Sequence, residues 1–240
     1  MKVIIIAGGL GTRIAEETED KPKPMVIING KPLLWHLMNI FSMQGIKDFI
    51  ISTGYKSDVI ENWVGNNTIV DLNNQQLNIQ IINTGLNTQT GGRISEVMKT
   101  LSGESVIATY GDGLANISIR KLLDFHEAHG KLATVSAVRP PARFGYMKID
   151  NNQVSHFGEK NQSDEGWING GFFVLDSKVA SYVNSLDEPF ETGALVRLTN
   201  QSQLMAFHHE GFWQPMDTLR EKRELEKESL RLIPSWLNFQ

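Results

Sequence analysis

Short apolar runs alternate with amphipathic segments over about the first 140 residues of the chain. The first run, at 2–7, is too short to cross a membrane and is typical of a buried parallel strand. Runs of this kind predict strands at 2–7, 48–53, 79–82, 105–110 and 133–138. Apolar residues at helical spacing predict helices at 33–41, 57–64, 94–101 and 119–129. A polar loop at 84–93 is predicted between the third strand and the third helix. The alternation predicts an α/β fold, a mostly parallel, Rossmann-like sheet with helices on both faces.

The pattern changes after residue 140. Alternating apolar and polar residues on either side of Asn151-Asn152 predict a β-hairpin formed by 144–149 and 154–159. The remaining segments predict a strand at 170–175, helices at 177–186 and 191–199, a strand at 204–207, a loop at 211–217 and a charged last helix at 218–232. No repeat or linker interrupts the chain, so we predict one domain over 1–240 with a small C-terminal hairpin and helix elaboration.

The composition narrows the class of protein. Hydrophobic residues make up 40% and charged residues 21% of the 240, which is ordinary for a globular protein with a buried core. The net charge of −4 argues against a nucleic-acid partner, whose phosphates require a basic surface. The absence of cysteine excludes disulfides, thiolate metal sites and a cysteine nucleophile. Because no long apolar stretch or signal pattern is present, we expect a cytoplasmic protein with no membrane partner.

A glycine-rich turn follows the first predicted strand. Gly8-Gly9-Leu10-Gly11-Thr12-Arg13 allows a sharp bend that brings backbone N–H groups within reach of a phosphate. The motif matches neither the dinucleotide fingerprint nor a Walker A loop, and a plain strand-to-helix turn fits it as well. Lys21-Pro22-Lys23-Pro24 then holds two lysines in a stiff segment, although a solvated basic loop is also compatible with those residues.

Two aspartates are candidate metal ligands. Asp112 lies between two glycines at a predicted strand end, where a carboxylate suits Mg²⁺ bridging phosphates. The same triplet also fits an Asx turn. Asp217 precedes the last helix and could equally be its N-cap. Because Mg²⁺ needs only one or two protein carboxylates beside phosphates and water, this pair would suffice.

Other kinds of chemistry find little support in the chain. His126 and His129 share a helix face, but no third ligand is close in sequence, which argues against zinc. No G-x-S-x-G or H-E-x-x-H motif is present, so a covalent hydrolase or zinc protease is unsupported.

The chain resembles the sugar-1-phosphate nucleotidyltransferases, and most closely the glucose-1-phosphate cytidylyltransferases, nearly from end to end. The resemblance rests on ten segments in one order: AGGLGTRIAEET at 7–18, KPKPMV at 21–26, GKPLLWHLM at 30–38, GIKDFII at 45–51, GYK at 54–56, TGGR at 90–93, TYGDG at 109–113, PPARFG at 140–145, INGGFFVL at 168–175 and GFWQPMDTLREK at 211–222. It implies the nucleotide-diphospho-sugar transferase fold, with a nucleotide-binding part at about 1–140 and an acceptor-binding part at about 141–240.

The resemblance also implies roles for individual residues. Asp112 and Asp217 would hold Mg²⁺ and act in catalysis with Lys23 and Arg13. The implied nucleotide-binding residues are Ile6, Ala7, Gly8, Gly9, Leu10, Gly11, Thr12, Arg13, Lys23, Thr88, Arg93 and Gly111. The implied acceptor-binding residues are Gly145, Glu159, Lys160, Asn169 and Glu191. The implied partners are CTP and a phosphorylated small molecule, and a homo-oligomer is expected.

Transfer of CMP from CTP to a sugar 1-phosphate of the glucose type, with release of pyrophosphate, is the function that the resemblance implies. Two departures fall near the acceptor pocket: Asn161 follows Glu159-Lys160 where the glucose enzymes have proline, and Gly193-Ala194 replaces a Glu-Pro pair. Another sugar phosphate, a polyol phosphate or an amino-acid phosphate is therefore an alternative acceptor. A catalytically inactive regulatory subunit is a further alternative, against which the retention of Lys23, Arg13, Asp112 and Asp217 argues. The stretch typical of uridylyl and thymidylyl relatives is absent, which favours CTP.

Overall fold

The computed structural model describes residues 1–140, 145–150, 152–159 and 166–239. The strands in these residues are β1 Lys2–Ile6, β2 Ile27–Ile28, β3 Lys31–Pro32, β4 Asp48–Thr53, β5 Asn78–Asn83, β6 Val106–Tyr110, β7 Gly113–Ala115, β8 Ala133–Val138, β9 Gly145–Asp150, β10 Gln153–Glu159, β11 Ile168–Leu175, β12 Leu204–His209 and β13 Trp213–Pro215. The α-helices are α1 Ala15–Thr18, α2 Leu33–Ser42, α3 Ser57–Gly65, α4 Thr90–Lys99, α5 Ile119–His129, α6 Ala194–Asn200 and α7 Leu219–Ser229. None of the helices in this part of the chain is long and apolar enough to cross a membrane.

A seven-stranded sheet in the order β12-β8-β11-β6-β1-β4-β5 forms the centre of the fold. Only β11 runs against its neighbours, pairing antiparallel with both β6 and β8. The predicted α/β fold with a mostly parallel sheet is therefore confirmed. Strands from the second half of the chain complete this sheet, whereas β9 and β10 form the predicted hairpin beside it.

Side chains of β1 alternate between two cores, one on each face of the sheet. Val3 and Ile5 belong to a cluster built with α2, whereas Ile4 and Ile6 belong to a cluster built with α4 and α6. Each of these four side chains is buried, since alternate strand residues point to opposite faces. Helices therefore cover both faces, and β1 is held inside the sheet between β6 and β4, directly before the glycine loop.

The structure corrects three predicted boundaries. The predicted polar loop at 84–93 ends earlier, because Thr90 already begins α4 and the TGGR segment forms its first turn. The predicted helix at 177–186 is a short 3-10 helix over Ser177–Tyr182. Part of the predicted loop at 211–217 is strand β13, which pairs antiparallel with β7. Such short pairings between distant segments leave no periodic pattern in the sequence.

A hydrogen-bonded chain at the end of α5 links two half-buried histidines through the buried Thr134. The Lys131 backbone N–H donates to Nδ1 of His129, so neutral His129 carries its proton on Nε2. That Nε2 lies 2.7 Å from Oγ1 of the buried Thr134, and the same oxygen lies 2.8 Å from Nδ1 of His126. Burial lowers the pKa of both rings, and the neighbouring His129 lowers the pKa of His126 further. Both rings are therefore held neutral.

We predict that this chain makes folding sensitive to acid. Both histidines have a lower pKa in the folded than in the unfolded protein, where the pKa is about 6.5. Protons therefore bind preferentially to the unfolded protein as the pH falls. The two histidines contribute fully to stability above about pH 6.5, and this contribution is lost at lower pH. Urea unfolding at pH 7.5 and 5.5 should show a smaller pH dependence in the His126→Gln/His129→Gln variant than in the parent. An unchanged pH dependence of the free energy of unfolding in the double variant would contradict the prediction.

Candidate active site

The glycine loop begins where β1 ends, at the C-terminal edge of the parallel sheet. Neighbouring strands anchor the start of the loop, because the Ala7 N–H donates to the Ser52 carbonyl at 2.8 Å. Gly11 turns the chain with a φ of +65°, a conformation that side-chain-bearing residues rarely adopt. Thr18 closes the turn by donating its hydroxyl to the Gly11 carbonyl at 3.1 Å. The loop therefore has one defined shape beside the strand ends.

Arg93 supports this loop from inside the protein. Its side chain is buried at the first turn of α4, where its guanidinium donates to the carbonyls of Gly8 (2.9 Å) and Thr53 (2.7 Å) and to Oγ1 of Thr84 (2.7 Å). Burial lowers the pKa of Arg93, yet a guanidinium keeps its proton at neutral pH. Arg93 was predicted to hold the nucleotide, and in the structure its donors bind the backbone that forms the loop.

Lys23 is the buried cation of the site. Its Nζ lies 2.8 Å from Oδ2 of Asp112 and 2.5 Å from Oδ1 of Asp217. Burial alone would lower the pKa of Lys23, but the two carboxylates outweigh that effect and raise it. The neighbouring Lys21 pairs instead with Asp20 at 3.1 Å, so only the second lysine of the KPKP segment enters the site.

A two-stranded ribbon brings Asp112 and Asp217 together across more than a hundred residues. β7 starts directly after Asp112, and β13 ends two residues before Asp217. The two strands pair with Pro215 opposite Gly113, and the Met216 N–H donates to the Asp112 carbonyl at 2.8 Å. The ribbon therefore fixes the spacing of the two carboxylates.

Asp217 is not the N-cap of α7. Thr218 caps the helix, since its side chain accepts from the Glu221 N–H. The Asp217 carboxylate is free to bind Lys23 and Arg13, whose Nη1 lies 2.5 Å from Oδ2 of Asp217. The two cations and the two carboxylates together carry no net charge.

A cleft of about 280 Å³ opens above these charges. Most residues predicted to bind a nucleotide line it, namely Ile6, Ala7, Gly9, Gly11, Thr12, Arg13, Lys23, Thr88, Arg93 and Gly111, and Asp112 does as well. Two predicted residues lie elsewhere: Gly8 packs against Arg93, and the exposed Leu10 lines a neighbouring cavity beside Tyr55. Most of the residues predicted to bind the triphosphate therefore lie together at the carboxyl ends of β1 and β6.

The residues predicted to bind the acceptor are only partly described. Gly145 and Glu159 face each other across the β9–β10 hairpin, whereas Lys160 lies outside the described residues. Asn169 and Glu191 meet at the hydroxyl of Tyr110, which accepts from Nδ2 of Asn169 at 3.2 Å and donates to Oε1 of Glu191.

Sequence reasoning missed four residues that line the cleft. Tyr110 is the last residue of β6 and directly precedes Gly111 and Asp112, which were predicted as site residues. This adjacency was the one feature of the sequence that could have indicated Tyr110. Thr90 begins α4 and donates to Oε2 of Glu191 at 2.8 Å. Pro24 and Gln89 also line the cleft, and neither carries a sequence signal beyond its neighbours.

The donor set at the base of the cleft fits a divalent metal ion. Asp112 and Asp217 each present a carboxylate oxygen to the Lys23 ammonium. Hard divalent ions prefer such oxygens and often complete their shell with substrate phosphates and water. No group of three or more histidine, aspartate or glutamate side chains that could hold a metal occurs in the described part of the chain. A metal bound here would therefore draw its other ligands from substrate and solvent.

Comparison with known proteins identifies the family. A family model described as nucleotidyl transferase matches residues 2–220, and the chain belongs to this family of enzymes. A glucose-1-phosphate cytidylyltransferase from Salmonella typhi is 45% identical over 94% of this chain and 95% of the relative. A probable glucose-1-phosphate cytidylyltransferase from Bacillus subtilis is 37% identical over 95% of both chains.

A solved structure agrees with this chain in fold. HddC from Yersinia pseudotuberculosis complexed with GMP-PN superposes with a TM-score of 0.70 and 27% identity over 95% of this chain and 99% of that one. Enzymes of the family typically use a divalent metal ion.

We predict that Gly8→Ala destabilises the protein and that Gly9→Ala does not. A Cβ at Gly8 would lie 2.2 Å from Cζ of Arg93, whereas a Cβ at Gly9 would meet nothing within 4 Å. The guanidinium would have to leave buried acceptors, and the free energy of unfolding should fall by about 2 kcal/mol. Denaturant unfolding of both variants measures this difference. Equal free energies of unfolding for Gly8→Ala and Gly9→Ala would contradict the prediction and show that the buried position of Arg93 does not require a glycine at position 8.

Proposed function

We propose that this protein transfers CMP from CTP to glucose 1-phosphate, giving CDP-glucose and pyrophosphate. The geometry that carries the proposal is the cluster of Lys23, Arg13, Asp112 and Asp217 at the base of the glycine-loop cleft. Sequence similarity to two glucose-1-phosphate cytidylyltransferases over nearly the whole chain supports the choice of nucleotide and acceptor.

In the proposed reaction, a phosphate oxygen of the sugar phosphate attacks the α-phosphorus of CTP. A new P–O bond forms, the bond between the α- and β-phosphates breaks, and pyrophosphate leaves with the electron pair. Such a displacement needs alignment and neutralisation of charge more than a side-chain nucleophile. The rigid glycine loop supplies the alignment, and Lys23 and Arg13 supply fixed positive charge next to the phosphates.

We assign the metal-binding role to Asp112 and Asp217 and the metal to Mg²⁺. When bound, Mg²⁺ supplies positive charge that offsets the charge of the phosphates. The Lys23 ammonium uses the same carboxylate oxygens in the structure, so a metal and Lys23 compete for them. A nucleotide triphosphate favours the metal in this competition, since its phosphates give the displaced ammonium new partners.

The second candidate function is the same reaction with a different phosphorylated acceptor, and the packing around Gly193 favours it. A Cβ at Gly193 would lie 1.9 Å from Oε1 of Glu188, so the side chain of Glu188, paired with Arg197, fills the space that a larger residue would need. The Glu-Pro pair of the glucose enzymes is therefore replaced by a different local packing next to Glu191. This change supports testing acceptors other than glucose 1-phosphate.

We predict that glucose 1-phosphate is the best acceptor in a panel assayed with CTP and Mg²⁺. The panel contains other sugar 1-phosphates, a polyol phosphate and an amino-acid phosphate, and pyrophosphate release is the readout. A higher kcat/KM for another phosphate would change the acceptor and keep the reaction. Absence of release with every phosphate would overturn the proposal in favour of an inactive subunit.

We predict that Lys23→Met has opposite effects on metal binding and on turnover. Without its cation, the nucleotide-free protein should bind Mn²⁺ about tenfold more tightly, a gain of about 1.4 kcal/mol. Turnover should fall by about 10² to 10³, as for other lost donors to a developing negative charge. Electron paramagnetic resonance of free Mn²⁺ and pyrophosphate release measure the two effects.

Lys21→Met is the matched control, because Lys21 belongs to the same segment but pairs with Asp20. It should leave both quantities near those of the parent. Unchanged Mn²⁺ affinity in Lys23→Met would contradict the competition, and unchanged turnover would contradict the catalytic role.

A further inference from the structure

The hydroxyl of Tyr110 joins the two residues predicted to contact the acceptor. It accepts a hydrogen bond from Nδ2 of Asn169 at 3.2 Å and donates one to Oε1 of Glu191. Asn169 and Glu191 belong to different segments, one in β11 and the other before α6. The Tyr110 hydroxyl therefore links these two residues to each other through two hydrogen bonds.

Each hydrogen bond in this network has a defined direction. The hydroxyls of Tyr110 and Thr90 both donate to carboxylate oxygens of Glu191, which accept. The Tyr110 oxygen then accepts from Asn169, whose Oδ1 in turn accepts from the Gly171 N–H at 2.8 Å. Asn169 thus has one amide orientation, and the second hydrogen on its Nδ2 can point to a ligand because the residue is exposed.

Packing prevents the Tyr110 ring from turning away. A Cβ at Gly171 would lie 2.6 Å from Cδ2 of the ring, so a glycine with a φ of +79° lies directly against it. The ring also contacts Phe173 edge to face, with 5.6 Å between centroids.

Tyr110 also lies at the boundary between two cavities. It lines the cleft of about 280 Å³ that contains the glycine loop, and with Asp112 it lines a cavity of about 40 Å³ beside Asn169 and Trp213. Only Gly111 separates Tyr110 from Asp112 along the chain, so a group ordered by Tyr110 is ordered relative to the metal carboxylates as well. The smaller cavity is thus a candidate position for part of the acceptor.

We propose that Tyr110 is a positioning residue for the phosphorylated acceptor, which acts by holding Asn169 and Glu191 in one orientation beside Asp112. This inference rests on the proposed cytidylyl transfer. The Tyr110 hydroxyl is engaged by Asn169 and Glu191, so its loss should affect binding of the acceptor and not of CTP.

Tyr110→Phe tests the proposal, because the ring and its packing remain and only the hydroxyl is lost. We expect KM for glucose 1-phosphate, or for the best acceptor of the panel, to rise about tenfold, equivalent to about 1.4 kcal/mol. KM for CTP and the melting temperature should stay near the parental values. In an Asn169→Ala background, Tyr110→Phe should raise KM by less than about twofold, since coupled residues are not additive.

Tyr182→Phe is the control, since it removes a hydroxyl that donates to Gln201 at the surface, at 2.6 Å. It should leave every kinetic parameter unchanged. An unchanged acceptor KM in Tyr110→Phe, an equal rise in KM for CTP, or additive effects with Asn169→Ala would each overturn the role of Tyr110 while leaving the proposed function standing. A parent protein without activity on any acceptor would overturn both.

Discussion

The ion pairs of Lys23 with Asp112 and Asp217 are the interaction on which the arrangement of the site depends. They join three distant parts of the chain: the segment after the glycine loop, the end of β6 and the start of α7. A buried ammonium needs charged partners, because leaving it unpaired in this environment would cost several kcal/mol. The β7–β13 ribbon holds Asp112 and Asp217 at the spacing that lets both pair with Lys23. The ion pairs in turn hold the ribbon against the segment that contains Lys23.

The fold and the donor side of the site could be predicted because their signals are local. Apolar runs and helical spacing mark β1, β4, β6 and β8 without reference to the rest of the chain. Residues that follow parallel strands meet at one edge of the sheet, which explains why the glycine loop and Asp112 come together. The convergence of Asp217 with them depends on a three-residue pairing, for which only the family resemblance provided a signal.

The acceptor side was harder to predict, because its residues are related only through tertiary contacts. Tyr110 and Glu191 are separated by 81 residues, and Thr90 and Glu191 by 101. A tyrosine at the end of a strand is usually a core residue. The sequence pattern does not distinguish such a tyrosine from one whose hydroxyl binds other residues of a site. Arg93 is a further case: the family resemblance implied that it helps to hold the nucleotide, and tertiary contacts that no local pattern reveals place its guanidinium against the Gly8 backbone.

The charges of the site explain how one arrangement could serve both the nucleotide-free and the substrate-bound protein. Lys23, Arg13, Asp112 and Asp217 neutralise one another, so the cleft needs no external ion to remain folded. The Arg13 side chain is 74% accessible, so it can change partners at little cost in free energy. The Lys23 side chain is only 10% accessible, so it must exchange one charged partner for another. A triphosphate with its metal offers both exchanges at once. Substrate binding would therefore replace internal ion pairs without leaving a buried charge unpaired, which favours joint binding of metal and nucleotide over binding of either alone.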